Sequence, residues 1–330
     1  MSFSMVTDML ATVTLPTLPP TEILAACGIG AVTLAVILAA CFGPFLAVTS
    51  ELLSALKRRG FYAKAGQQTA QMNVLFGAMA LALFAAGAVY AIRLEPALLD
   101  IPYFLPLCIT GGCAAASFLF CILYATLRPA KGNSGPVHIL TGLLAGCLAA
   151  ASLYLATGLV RRVVHTPQVT DNTLSLHIQL LDFFSIPLDS LFWPLLAEAV
   201  PLGFAFAAAF ATLWLLIMRE RQDFGRDYYA FALSYCAKWA MLATLLAIAL
   251  GAFAFFRGRE IMLPELSHLP SLLLDALSVI LPLFSCLFWL FISRSDYPMR
   301  RKVSVVLALL FLMGGFAGQI LMFNKIIPSP

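Results

Sequence analysis

Charge is scarce in this sequence. Asp, Glu, Lys and Arg make up 11% of 330 residues, where a soluble domain carries about 25%, so water is not the main solvent of the chain. Histidine is scarcer still, with only His138, His165, His177 and His268. No HExxH, P-loop, GxGxxG or nucleophile-elbow pattern occurs, which leaves zinc-hydrolase, nucleotide and serine-hydrolase chemistry without a motif. The eight cysteines all fall in apolar runs, with neither metal-ligand spacing nor a CxxCH haem-attachment site, and read as small packing residues. No basic stripe interleaved with aromatics appears, so nucleic acid is not an expected partner. The first 56 residues lack Lys and Arg altogether. Without a basic leader, the cleavage-box-like stretches ending at Cys27 and Cys41 are not read as processing sites, and the N-terminus is expected to be retained.

Hydrophobic residues, by contrast, make up 62% of the chain and gather in blocks. Lipid offers no partner to a backbone N–H or C=O, so a spanning segment closes its hydrogen bonds as a helix or within a barrel. Blocks near the roughly 20 residues that cross about 30 Å of hydrocarbon argue for helices. Eight are expected: 23–50, 68–92, 103–127, 136–160, 191–218, 229–256, 270–293 and 302–324. The expected fold class is an all-α integral membrane protein. Thirteen of the nineteen Lys and Arg outside the spans fall in the segments between odd and following even spans. Basic loops stay cytoplasmic, which gives an N-out, C-out topology with both termini periplasmic and a bacterial inner membrane as the expected location.

An internal repeat organises the spans. Phe61-Tyr62-Ala63-Lys64-Ala65 before the second span matches Tyr228-Tyr229-Ala230-Phe231-Ala232 before the sixth, and Gly28-Ile29-Gly30 matches Pro201-Leu202-Gly203. Two tandem four-helix bundles follow, 1–165 and 166–330, each with a preceding interfacial helix, over 3–14 and 173–184. Gly142 and Gly146 in the fourth span, and Gly314 and Gly318 in the eighth, have the four-residue spacing that lets helix backbones approach closely.

Ionisable groups inside a membrane are costly and mark sites. Glu198 in the fifth span and Asp275 in the seventh stand at similar depth near the outer surface. With His268, Arg257 and Arg259 they form a candidate outer site, where a carboxylate accepts protons from a bound quinol. The plainer reading has both acids reaching outer water and Lys238 snorkelling to the inner headgroups. His165, His177 and His268 are the candidate haem ligands, with Met262 or Met322 as a partner, and allow at most one b-type haem. Gln67, Gln68, Gln71 and Asn73 at the start of the second span fit either a conduit or helix–helix hydrogen bonding.

The run Val200-Pro201-Leu202-Gly203-Phe204-Ala205-Phe206, a short charged loop, Tyr229, Lys238-Trp239 and the small-residue stretch ending at Gly251 resemble the first two helices of subunit I of cytochrome bd quinol oxidases. The resemblance covers about 60 residues and implies a four-helix-bundle scaffold. It also marks departures. Leu196, and Ile23 in the first half, stand where that family has a haem-ligating histidine. The third span lacks acids, and Arg257 to His268 replaces the family's long quinol-binding loop. The expected function is therefore a membrane-anchor subunit of a respiratory electron-transfer complex, part of a hetero-oligomer that docks outer-side cytochrome or iron–sulfur subunits and contacts quinone. A solute transporter or channel, favoured by the tandem repeat, and a purely structural subunit are the alternatives.

Overall fold

A computed structural model describes residues 21–94, 101–127, 135–165, 186, 192–222, 224–262 and 269–324, several helix ends as backbone alone. Among the described residues are eight helices long and apolar enough to cross a membrane, and no strand. They are α1 (Thr21–Lys57), α2 (Gly60–Leu94), α3 (Ile101–Thr126) and α4 (Pro136–His165), then α5 (Phe192–Met218), α6 (Arg226–Met262), α7 (Leu269–Arg294) and α8 (Lys302–Asn324). The protein is a multi-pass, all-α membrane protein. The expected interfacial helices over 3–14 and 173–184 lie outside the described residues.

Four prolines, Pro44, Pro106, Pro201 and Pro282, sit inside helices that nonetheless continue through them. Neighbouring helices and hydroxyl side chains satisfy backbone groups around such prolines in membranes. One turn after Pro106 the Thr110 hydroxyl donates to the Pro106 carbonyl at 2.8 Å, burying its own polar group within the helix. The first two helices are longer than their apolar cores: α1 runs on to Lys57 and α2 starts at Gly60, so most of the expected 51–67 loop is helical. Only Arg58 and Arg59 link them, Arg58 taking the left-handed backbone conformation at φ 52°. Gly225, at φ 88°, takes it again just before α6, where glycine meets no steric penalty.

Consecutive helices pack within each half, α1 to α4 and α5 to α8, and each half closes on itself through α1 against α4 and α5 against α8. The halves join along α1 and α5, the two best-buried helices, while α2 turns most of its length outward. Alanines make this approach possible: Ala35, Ala39, Ala205, Ala207, Ala208 and Ala209 are all fully buried. The two segments aligned by the repeat pattern also meet, Phe61 against Tyr228 edge-on at 6.0 Å and Tyr62 against Phe231 at 4.8 Å.

The basic residues gather at the end of the molecule holding Lys57. There Lys302 Nζ lies 3.3 Å from Glu220, Lys64 over the Phe224 ring, and Arg226 and Arg300 over the ring of Tyr297. This is the end that the charge count assigns to the cytoplasm.

Candidate functional site

Among the described residues two carboxylates are buried inside the helices, one on α5 and one on α1. Glu198 on α5 is 7% exposed, and its Oε1 accepts a hydrogen bond from Gln319 Nε2 of α8 at 2.8 Å. On the third side α6 presents Gly251, where a β-carbon would collide with the Glu198 carboxylate. A glycine is what lets α6 come this close. Six residues further along α5, Phe204 stacks on Trp239, with ring centroids 6.2 Å apart, and touches Phe42 and Phe45 of α1. Glu198 thus sits where α5, α6 and α8 meet, with one oxygen bonded to Gln319 and its carboxylate against Gly251.

The other residues of the expected outer site are less fully placed. Asp275 lies in the second turn of α7, and Arg257 and Arg259 in the last turns of α6, with their side chains outside the described residues. His268 lies outside them entirely. The partner that Glu198 has, Gln319, is one the sequence reading did not name. It sits at the far end of α8, and nothing in one helix's sequence says which helix it will face.

Of the candidate haem ligands, His165 is the last residue of α4, described as backbone alone, and His177 and His268 lie outside the described residues. Leu196, one half-turn before Glu198, offers iron no donor atom. The described side chains therefore do not fit an axial haem pair in α5. They also contain no group of three His, Cys, Asp or Glu able to hold a metal ion.

The packing glycines lie as follows. A β-carbon on Gly142 would enter Val48 and the Tyr124 ring, one on Gly146 would meet Phe45 at 2.7 Å, and one on Gly314 would press Leu281 at 3.2 Å. Gln68 is fully buried where α2 meets α6: it accepts from the Tyr228 hydroxyl at 2.7 Å and donates to Gln222 at 3.1 Å. Tyr229 closes the group by donating to the Gln222 carbonyl. This is helix–helix hydrogen bonding, the second of the two readings open for the polar start of α2. Lys238 lies on the exposed face of α6, one turn beyond Ser234, whose hydroxyl donates to the Ser293 carbonyl near the end of α7.

The second buried carboxylate, Glu51 on α1, escaped sequence reasoning. It is 5% exposed and its Oε1 lies 2.9 Å from His138 Nε2 of α4. Gly66 of α2 makes room for its side chain, and Tyr124 of α3 stacks on the His138 ring at 4.4 Å. The expected end of the first span at residue 50 put Glu51 just outside the membrane. The signal was present in the helical phase, which continues without a breaker to Lys57.

No family model matches the chain, and no curated protein matches it. Its fold is similar to a solved structure, the bd oxidase from Geobacillus thermodenitrificans, with a TM-score of 0.64 over 92% of this chain and 86% of that one. The two are 13% identical over the match. The class defined is an eight-span helical membrane protein with a fold like that of a bd oxidase chain. At this identity the likeness is one of fold.

Proposed function

We propose that the chain is a membrane-anchor subunit of a respiratory electron-transfer complex. In this reading it sits in a bacterial inner membrane with both termini periplasmic, holds outer-side cytochrome or iron–sulfur subunits, and contacts quinone beside Glu198. Its halves, 1–165 and 166–330, act as two related four-helix scaffolds. The observation that supports it most is the buried Glu198–Gln319 pair, set among three helices in a fold similar to a bd oxidase. Oxidation of a quinol releases protons, and a carboxylate held within hydrogen-bond reach accepts them. Gln319 orients one oxygen of Glu198 and leaves the other for that role. Oxygen reduction is not part of this reading, because Leu196 replaces the ligand that the bd resemblance requires.

The test is the subunit content and absorption spectrum of the native particle solubilised in detergent. Haem-bearing or iron–sulfur subunits should co-purify, and Glu198→Gln should slow quinol-dependent electron flow while the particle stays assembled. A chain that purifies alone and moves solute into vesicles would make it a transporter instead.

A further inference from the structure

At the opposite end of the molecule from Glu198, three side chains from three helices meet with their polar atoms only partly used. Seating of Phe42 against Gly203 sets the register of α1 on α5. It places Glu51 roughly 20 Å from Glu198 along the helix axes at 1.5 Å per residue. Glu51 Oε2, His138 Nδ1 and the Tyr124 hydroxyl are all buried without a hydrogen bond of regular geometry, and the Tyr124 hydroxyl stands beside the Glu51 carboxylate, close enough to interact with it. Glu51 and Tyr124 are each more than nine-tenths buried. Buried polar atoms without partners are rare in folded proteins and call for an explanation.

We propose that Glu51, His138 and Tyr124 form a proton-binding site that exchanges its proton only through the Lys57 end of the first four helices. A carboxylate and an imidazole in direct contact hold one or two protons between them. Uptake forms one N–H or O–H bond on the pair and takes one proton from the adjoining water, release reverses this, and no electrons move. Tyr124 fixes the imidazole plane by stacking, which keeps Nε2 on the carboxylate. An aromatic face attracts a cation, so the stack serves the protonated ring as well as the neutral one. The site is independent of the proposed quinone contact.

Few other titratable groups among the described residues face it. On α1 the next is Lys57, whose Nζ donates to Tyr62 of α2 at 3.2 Å, and Lys64 of α2 is held over Phe224. Cys121 of α3 lies one turn from Tyr124, and Tyr235 of α6 shares a hydrogen bond with Ser50 at 3.1 Å. Arg58 and Arg59 are exposed in the link between α1 and α2.

One-sided access follows from what lies deeper in the bundle. Beyond Cys121 is a cavity of about 280 Å³ walled by side chains such as Leu34, Leu81, Phe84 and Phe118. Its hydroxyls are already committed: Ser117 donates to the Ala145 carbonyl at 2.8 Å and Ser152 to the Thr110 carbonyl at 3.2 Å. A hydroxyl whose proton is held by a backbone carbonyl does not pass one along. The described residues therefore put the exposed Lys57 end of α1 on one side of the site and an apolar stop on the other.

Infrared difference spectra of the full chain in lipid vesicles of fixed orientation, recorded across a pH jump, test this directly. A carboxyl band and an imidazole band should change together. Glu51→Gln should abolish the first and alter the second, and His138→Gln the reverse. Tyr124→Phe, which removes one oxygen and keeps the stack, should shift both bands in a folded protein, and this variant carries the test if the others fail to fold. A pH jump on the Lys57 side should move the bands, and one on the opposite side should leave them unchanged. Bands that titrate independently, bands indifferent to Tyr124→Phe, or equal responses from both sides would overturn the proposal.

Discussion

Phe42 of α1 lies where a side chain on Gly203 of α5 would have to be, so the two halves meet there through a ring filling the place of a missing β-carbon. The same ring touches Phe204, the next residue of α5, at 5.4 Å. This one contact fixes how far α1 can slide along α5. It therefore sets the relative depth of everything the two helices carry, both buried carboxylates included.

Gly203→Ala should destabilise the protein by about 1–3 kcal/mol, the usual cost of forcing extra atoms into a packed core. Phe42→Ala should cost about 3–5 kcal/mol through the cavity it leaves. In the double variant the methyl added at position 203 enters space that the aromatic ring has vacated. Thermal unfolding in detergent should then show a combined loss smaller than the sum by more than about 0.5 kcal/mol. A strictly additive result would mean that the two residues do not touch.

Gly146→Leu and Gly142→Leu should lower the melting temperature of the detergent-solubilised protein, because the new side chains meet Phe45 in one case and Val48 and Tyr124 in the other. Gly112→Leu is the control. Nothing lies within 4 Å of a β-carbon there, and the residue is exposed on α3. Equal losses at all three positions would show that the contacts with Phe45, Val48 and Tyr124 are not what makes the substitution costly.

Gln319→Leu removes the donor to Glu198 and leaves a buried carboxylate oxygen unsatisfied, which costs about 1–3 kcal/mol or more for a charged group. Glu198→Gln keeps a hydrogen-bonding side chain of the same shape. The expected order of thermal stability is therefore Gln319→Leu below Glu198→Gln. The reverse order would show that the glutamine is not the partner on which Glu198 depends.

The charge count predicts that a cysteine placed at Asn172 reacts with a membrane-impermeant thiol reagent added outside, and that one at Gly60 does not. Labelling at Gly60 and silence at Asn172 would invert the topology. The proton site would then open to the opposite compartment, still at its Lys57 end.

The eight spans were legible because a bilayer imposes its thickness on the sequence. A run such as Pro136 to Leu159 can hardly be read otherwise, and α8 begins and ends at the residues its apolar run and Lys302 suggest. Helix length beyond the hydrocarbon was not legible, since a helix that continues into water leaves no mark in hydropathy. Glu51 was lost by that margin. Its meeting with His138 and Tyr124 is also a tertiary fact, joining residues 87 positions apart in the first case. Glu198 was visible as an acid in an apolar run, but Gln319 was hidden among small and apolar neighbours. The polar start of α2 announced a buried face, and only the approach of α6 decided that Tyr228 and Gln222 would answer it.

The central position of α1 and α5 bears on how the protein is made. Helices enter the membrane in the order in which the ribosome delivers them, and domains fold as they emerge. After α1 is inserted, α2, α3 and α4 must all follow before its principal cross-half partner exists. In the meantime Phe42, which ends up against Gly203 and Phe204, faces lipid or an insertion factor. A nascent chain halted after α4 would carry the Phe42 ring without its seat on α5, and the arrival of α5 is the event that commits the two halves to a single molecule.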